Sequence, residues 1–208
     1  MQPVIKAVVF DFGGVIADEG FYEGLLAIGR MNRLNPEAFF AMVDAAIAET
    51  GYLTGKADES TFWNVVTQKA GISMDISIIR EEILKRYVIR PEIIKYADIL
   101  RSNGILVAML SDQTNWLDEI NQKTSLFRHF DRIFNSYHIH KSKQDSSVFR
   151  YVCEALNIKT NEALFIDDNK NHIHRAQGEG LNVIYFVNIK DFKLRFNKII
   201  KLNFTALN

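Results

Sequence analysis

Val8-Val9-Phe10-Asp11-Phe12-Gly13-Gly14-Val15 is the stretch on which the reading of this chain turns. An apolar run from Ile5 to Phe10 ends at a carboxylate, and two glycines follow at once. Strands buried on both faces read as continuous apolar runs, as in a parallel sheet. Gly13 and Gly14 let the backbone pass close to a ligand and offer it carbonyl and N–H groups.

Working outward, similar runs recur at Ile105–Leu110, Arg132–Asn135, Ala163–Ile166 and Asn182–Phe186. Helical stretches lie between them. Pro91–Ser102 starts on a proline that tolerates a first turn and stops at Asn103-Gly104, and Ser146–Leu156 and His172–Gly180 follow the same logic. Strand and helix in alternation define an α/β fold, a Rossmann-like doubly wound parallel sheet. The interval after the first strand breaks the rhythm. Phe21–Arg30, Pro36–Ala48, Glu59–Ala70 and Asp75–Tyr87 all carry apolar residues at helical spacing. The expected organisation is a core of residues 1–17 and 89–208 with a small α-helical cap, 18–88, inserted after the first strand. Ile189–Leu202 reads as an amphipathic helix, with Phe192, Phe196, Ile199 and Ile200 packing on the sheet edge and its lysines solvated.

Composition sets the outer limits. In 208 residues, 25 Lys+Arg face 25 Asp+Glu, so charge gives no reason to expect nucleic acid as a partner. Apolar residues at 48% exclude a disordered tail protein. Cys153 has no partner for an internal disulfide, which suits a reducing compartment. The first residues lack the basic start and small-residue site of a signal peptide, and no apolar stretch is long enough to span a membrane. The expectation is a cytoplasmic protein, monomer or homodimer, without a membrane partner.

Chemistry-bearing residues fall at the C-terminal ends of the strands, the edge where open α/β sheets bind ligands. Asp11 follows the first, Ser111 the second, and Asp167-Asp168 the run Leu164-Phe165-Ile166; Lys143 lies in the loop before the Ser146 helix. Three carboxylates brought together repel unless a cation sits among them. Oxygen ligands of this kind suit Mg²⁺, which takes one or two carboxylates plus phosphate oxygens. Ser111 and the backbone N–H groups after it, including that of Asp112, can donate to a phosphate. Lys143 adds a point positive charge.

In that order, Asp11-Phe-Gly-Gly-Val, Leu110-Ser111-Asp112, Lys143-Gln144-Asp145 and Phe165-Ile166-Asp167-Asp168-Asn169 resemble the haloacid dehalogenase superfamily over nearly the whole chain. Within it, the branch with an α-helical cap, whose first motif in small-molecule phosphatases reads Asp-Φ-Gly-x-Val, is the most similar. The resemblance implies that Asp11 attacks phosphorus and forms an aspartyl-phosphate, which water then releases. It implies Mg²⁺ held by Asp11, the Gly13 carbonyl and Asp168, with Asp167 acting through a bound water. Ser111, Asp112, Gly14 and Lys143 would hold the substrate, a small phosphorylated metabolite of the sugar-phosphate kind.

Gly13 departs from the pattern, since most phosphatases of the superfamily carry there a second Asp, a general acid/base worth about 10²–10⁴-fold. A proton must then come from a cap residue, water or the substrate, or the leaving group must be good, as in anomeric sugar phosphates. Asp18 and Glu19 near the hinge read first as helix N-terminal charge, with replacement of the missing acid as the second reading. Asp112 stands for the common Asn, Gln144 for the usual Pro, and His172 for an Asn that Asn169 or Asn171 would replace. Lys141, His138, His140, His172 and His174 read as ordinary polar residues. Phe39, Phe40, Phe62 and Trp63 read as cap core, Trp116 as packing in the helix after Ser111, and Cys153 as a buried helix residue. Two alternatives stand beside the phosphatase: a 2-haloacid dehalogenase, whose branch also lacks the second Asp, and a non-catalytic relative that binds a phospho-ligand.

Overall fold

The computed structural model describes residues 4–202, so the parts of the expected core at 1–3 and 203–208 lie outside the described residues. Five parallel strands form one sheet: β1 (Ala7–Phe10), β2 (Leu106–Ser111), β3 (Arg132–Asn135), β4 (Ala163–Asp167) and β5 (Asn182–Tyr185). Their order is β3-β2-β1-β4-β5, which makes the strand before Asp11 the central one. Each predicted run lies on a strand, with ends shifted by a residue or two. Between β1 and β2 come α1 (Gly20–Met31), α2 (Pro36–Thr50), a 3₁₀ turn at Tyr52–Thr54, α3 (Glu59–Ala70), α4 (Ile76–Leu84) and α5 (Pro91–Ser102). After β2 follow α6 (Trp116–Thr124), the short α7 (Ser136–Ile139), α8 (Ser147–Ala155), α9 (Lys170–Gly178) and α10 (Ile189–Ile199).

The strands read as unbroken apolar runs because both sheet faces are covered. Val8, Phe10, Val107, Met109, Leu164 and Ile166 enter one apolar cluster, whereas Ala7, Val9, Ala108, Leu110, Ala163 and Phe165 enter the other. Helices α8 and α9 cover the second face through Val148, Phe149, Val152, Ile173 and Ala176. The first face takes α5 and α10, and the same cluster runs without a break into the inserted helices. Phe192 and Phe196 of α10 are buried, as expected of its apolar stripe, but Ile199 is exposed. Ile200, one residue past the helix, fills the position instead.

The inserted helices begin where their sequences say. Asn35 accepts the Ala38 amide at 2.9 Å ahead of Pro36, and Asp58 accepts that of Thr61 at 2.8 Å. Such caps satisfy orphan N–H groups at the helix start. Two backbone crossings join the insertion to the sheet, and they pair with each other. The Asp18 amide donates to Val88 at 3.0 Å and that of Arg90 to Ile16 at 2.8 Å.

No helix among the described residues is long and apolar enough to cross a membrane.

Candidate active site

Register places the site. Phe10 lies opposite Met109 on β2 and Ile166 on β4, so Asp11, one residue on, is flanked by the ends of both strands. The chain connections reverse direction between β1 and β4, the switch point at which open sheets leave a crevice. There Lys143 Nζ stands 2.7 Å from Asp11 Oδ1 and 2.8 Å from Asp167 Oδ2. All three residues are buried, Lys143 to 1% exposure. A lysine this deep is tolerated only when paired.

The lysine is aimed by its own loop. The Lys143 amide donates to Asp112 Oδ1 at 3.0 Å, and the Ser136 hydroxyl donates to the same oxygen at 2.7 Å. The Asp112 carboxylate is thus spent on fixing the lysine loop. That explains why an acid is accommodated at this edge of the sheet. Asp145 accepts the Ser147 amide at 2.9 Å at the start of α8.

Asp11 Oδ1 also accepts the Phe12 amide at 2.7 Å. Asp167 accepts the Asn169 amide at 2.7 Å and lies 3.1 Å from His172 Nδ1. Carboxyl oxygens of Asp11 and Asp167 and a ring nitrogen of His172 all fall within 4.8 Å of one another. His172, expected to be an ordinary polar residue, therefore belongs to the site. The signal was its place in the first turn of α9, which starts at the strand end carrying the acidic pair.

The Asp168 carboxylate lies against the Cα of Gly14, where a side chain on residue 14 would stand. Gly14 is further bound to glycine by its left-handed φ of 76°. Gly13, Asp11, Ser111, Asp112, Lys143 and Asp168 all line one cavity of about 300 Å³. Gly14 does not line it; its carbonyl accepts from Arg90 at 2.6 Å.

Arg90 carried no signal in the sequence. Its guanidinium also donates to the Val15 carbonyl at 2.8 Å, the Ala17 carbonyl at 2.9 Å and Asp18 Oδ1 at 2.7 Å. The glycine turn after Asp11 is thereby tied to the returning crossing.

Three carboxylates, Asp11, Asp167 and Asp168, gather round a single lysine, Lys143. Burial works against the Lys143 charge, yet Asp11 and Asp167 hold its pKa well above the usual lysine range. Burial also acts to raise Asp167, but Lys143 and His172 keep it well below the ordinary carboxylate range. Asp11 is left the poorer partner: burial first and Asp167 second push it well above its ordinary value. Asp168 is raised for the same two reasons. A divalent cation beside Asp11 and Asp168 would offset this negative charge, and carboxylate oxygens are the ligands that Mg²⁺ takes, so these residues fit it.

Glu19 overhangs the position where the second acid is missing. Its Oε1 lies 2.6 Å from where a Cβ on residue 13 would stand. The residue as a whole is exposed at the cavity mouth, but its carboxyl leans inward. Desolvation, then the Asp168 charge, raise its pKa from 4.5 to about 7.

The insertion lines one side of the cavity and is tied to the sheet side by hydrogen bonds. Tyr52 donates to Asn115 Oδ1 at 2.6 Å, Trp116 Nε1 to Glu59 at 2.9 Å, and His140 to the Thr54 carbonyl at 2.7 Å. Trp116 is buried as expected, and it also lines the cavity. Phe39, Phe62 and Trp63 are buried, and Phe40 partly so. Lys141 lies over the Tyr151 ring, apart from the ion cluster. Cys153 is buried in α8, and burial lifts its thiol to about 11, far from a nucleophile's range.

A buried carboxylate at a central strand end, bridged by a lysine to a second carboxylate, is an arrangement whose chemistry suits a carboxylate nucleophile. The family model described as haloacid dehalogenase-like hydrolase matches residues 5–177, and the chain belongs to that family. Solved structures share the fold. A HAD family enzyme from Bacteroides thetaiotaomicron, in complex with magnesium and inorganic phosphate, superposes with a TM-score of 0.75 at 22% identity, over 92% of this chain and 99% of that one. The L-2-haloacid dehalogenase of Xanthobacter autotrophicus, with chloropropionic acid covalently bound, gives 0.63 at 19% identity, over 98% and 87%. Among curated proteins, the bifunctional epoxide hydrolase 2 of Rattus norvegicus is 25% identical over 114 residues, 51% of this chain and 20% of the relative. The matched segment thus amounts to about a fifth of that relative's length.

Proposed function

We propose that this hydrolase is a Mg²⁺-dependent phosphatase of small phosphorylated metabolites, sugar phosphates in particular. The observation that carries the reading is the buried Lys143 bridging Asp11 and Asp167, next to a third carboxylate, Asp168, that calls for a cation. Residues 18–88 act as a cap over a core of 1–17 and 89–208, and the cavity of about 300 Å³ beneath suits a small substrate.

The Asp11 carboxylate, the Gly13 carbonyl and Asp168 would hold Mg²⁺, and Asp167 would contribute through a bound water. When bound, the ion neutralises phosphoryl charge and orients it toward Asp11. Asp11 attacks phosphorus, an O–P bond forms, and the ester O–P bond breaks with the electron pair leaving on the alcohol oxygen. Lys143 opposes the burial that favours protonated Asp11 and, with Ser111 and the Asp112 amide, binds the phosphoryl oxygens. Water then attacks the aspartyl-phosphate, releasing inorganic phosphate and restoring Asp11. Residue 13 holds no proton donor, which suits leaving groups acidic enough to depart with little help, such as an anomeric hydroxyl.

The test is a phosphate-release screen over small phosphate esters, with and without Mg²⁺, alongside 2-haloacids scored for halide. Mg²⁺-dependent phosphate release without halide supports the reading. Metal-independent halide release, or no phosphate from any ester, overturns it. Asp11→Asn should abolish the activity, by about 10³-fold or more, as loss of a covalent nucleophile does.

A further inference from the structure

The cavity has two unlike halves. The sheet edge supplies the ion cluster just described. The insertion supplies the rest: Phe21 from α1, Asp44, Ile47 and Ala48 from α2, and Leu53 from the 3₁₀ turn. Asp44, Ile47 and Ala48 stand at spacings of three and four and so share one face of α2. That face is apolar with one carboxylate. Glu19 adds a second at the mouth. Among the described residues lining the cavity, Lys143 is the only lysine or arginine, and it is already bound to Asp11 and Asp167.

A carboxylate or second phosphate on the leaving group would stand beside the charge of Asp44, an exposed residue of the cavity wall, and meet no lysine or arginine there in exchange. A hydroxyl can donate to Asp44, an ammonium gains from it, and a hydrocarbon edge packs on Ile47, Ala48 and Leu53. We infer that the leaving-group half of this site selects phosphate monoesters whose leaving group carries no negative charge. Asp44 is the discriminating residue. The inference rests on the phosphatase reading and narrows it to neutral or amine-bearing esters.

Phosphoethanolamine and phosphoglycolate are near-equal in size and opposite in leaving-group charge. The Mg²⁺-loaded full chain is assayed with both, and with acetyl phosphate as a third substrate. The expected kcat/KM ratio favours phosphoethanolamine by about tenfold or more, the scale of one like-charge contact in a partly solvated site. Asp44→Lys should shrink or invert that ratio by about tenfold and Asp44→Asn by less. Glu92→Lys, on α5 outside the cavity, should leave it as in the parent. The readout is a ratio, so partial loss of folded enzyme does not imitate the effect. Equal turnover of the two esters, or a ratio unmoved by Asp44→Lys, overturns the selectivity while leaving the phosphatase in place. No phosphate from any of the three, with the sugar phosphates of the screen equally inert, overturns the phosphatase reading and this inference with it.

Discussion

Arg90 makes hydrogen bonds to three carbonyls and a carboxylate of the turn that follows Asp11. A guanidinium serves such a set because its donors form a rigid planar fork, which a lysine lacks. Arg90→Ala should cost about 2–3 kcal/mol in denaturant unfolding, the scale of charge-assisted hydrogen bonds lost from partly buried acceptors. Arg90→Lys should recover only part of it. Glu19 gives a pH signature. Its folded pKa of about 7 lies above the ordinary 4.5, so the folded state binds the proton more tightly than the unfolded one. Its contribution is therefore present below about 4.5 and lost as pH rises through 7. Glu19→Gln, melted in chelator between pH 5 and 8, should gain Tm over the parent as pH rises; a constant difference would refute this. At this scale the sequence was a mixed guide. Asp11, Ser111 and the acidic pair sit at strand ends and Lys143 in the loop before α8, where type and position carry the signal. Arg90 and His172 act through contacts that no local pattern encodes.

Elements were easier to read than their mutual packing. Pro91–Ser102 and Glu59–Ala70 match α5 and α3 end for end, because proline, an aspartate cap and stop residues mark their limits. The docking of the insertion on the core was not legible, since it depends on side chains such as Tyr52, Glu59 and His140 meeting partners 57–86 residues away. At Gly55 the backbone of the insertion comes up against that of α7. The glycine has φ 67°, and a Cβ there would stand 2.5 Å from the Tyr137 carbonyl. Gly55→Ala should destabilise by more than about 1 kcal/mol, since both conformation and space oppose it. KM should rise in the same variant if the inserted helices act as the proposed cap. Unchanged KM and stability would mean that this contact does not hold the insertion down.

For the whole molecule, charge in the site is coupled to stability. Asp11 and Asp168 are both pushed toward their protonated forms by burial and by Asp167. A cation that binds only the folded chain should raise stability by about 2.7 kcal/mol at a hundred times its dissociation constant. Thermal melts with increasing Mg²⁺ should show this, and Asp168→Asn should remove most of it.

The sheet order has a further consequence, for synthesis on the ribosome. Ala7 pairs with Leu106 on one side and Ala163 on the other. The first-made strand is therefore the central one and waits through half the chain for its first neighbour and through three quarters for its second. Until then its Val-Val-Phe edge stands open to wrong partners, a hazard of long-range parallel pairing. Nascent chains stalled before β4 emerges should thus depend on chaperone shielding, and none of them can yet assemble the cluster of Asp11, Lys143 and Asp167.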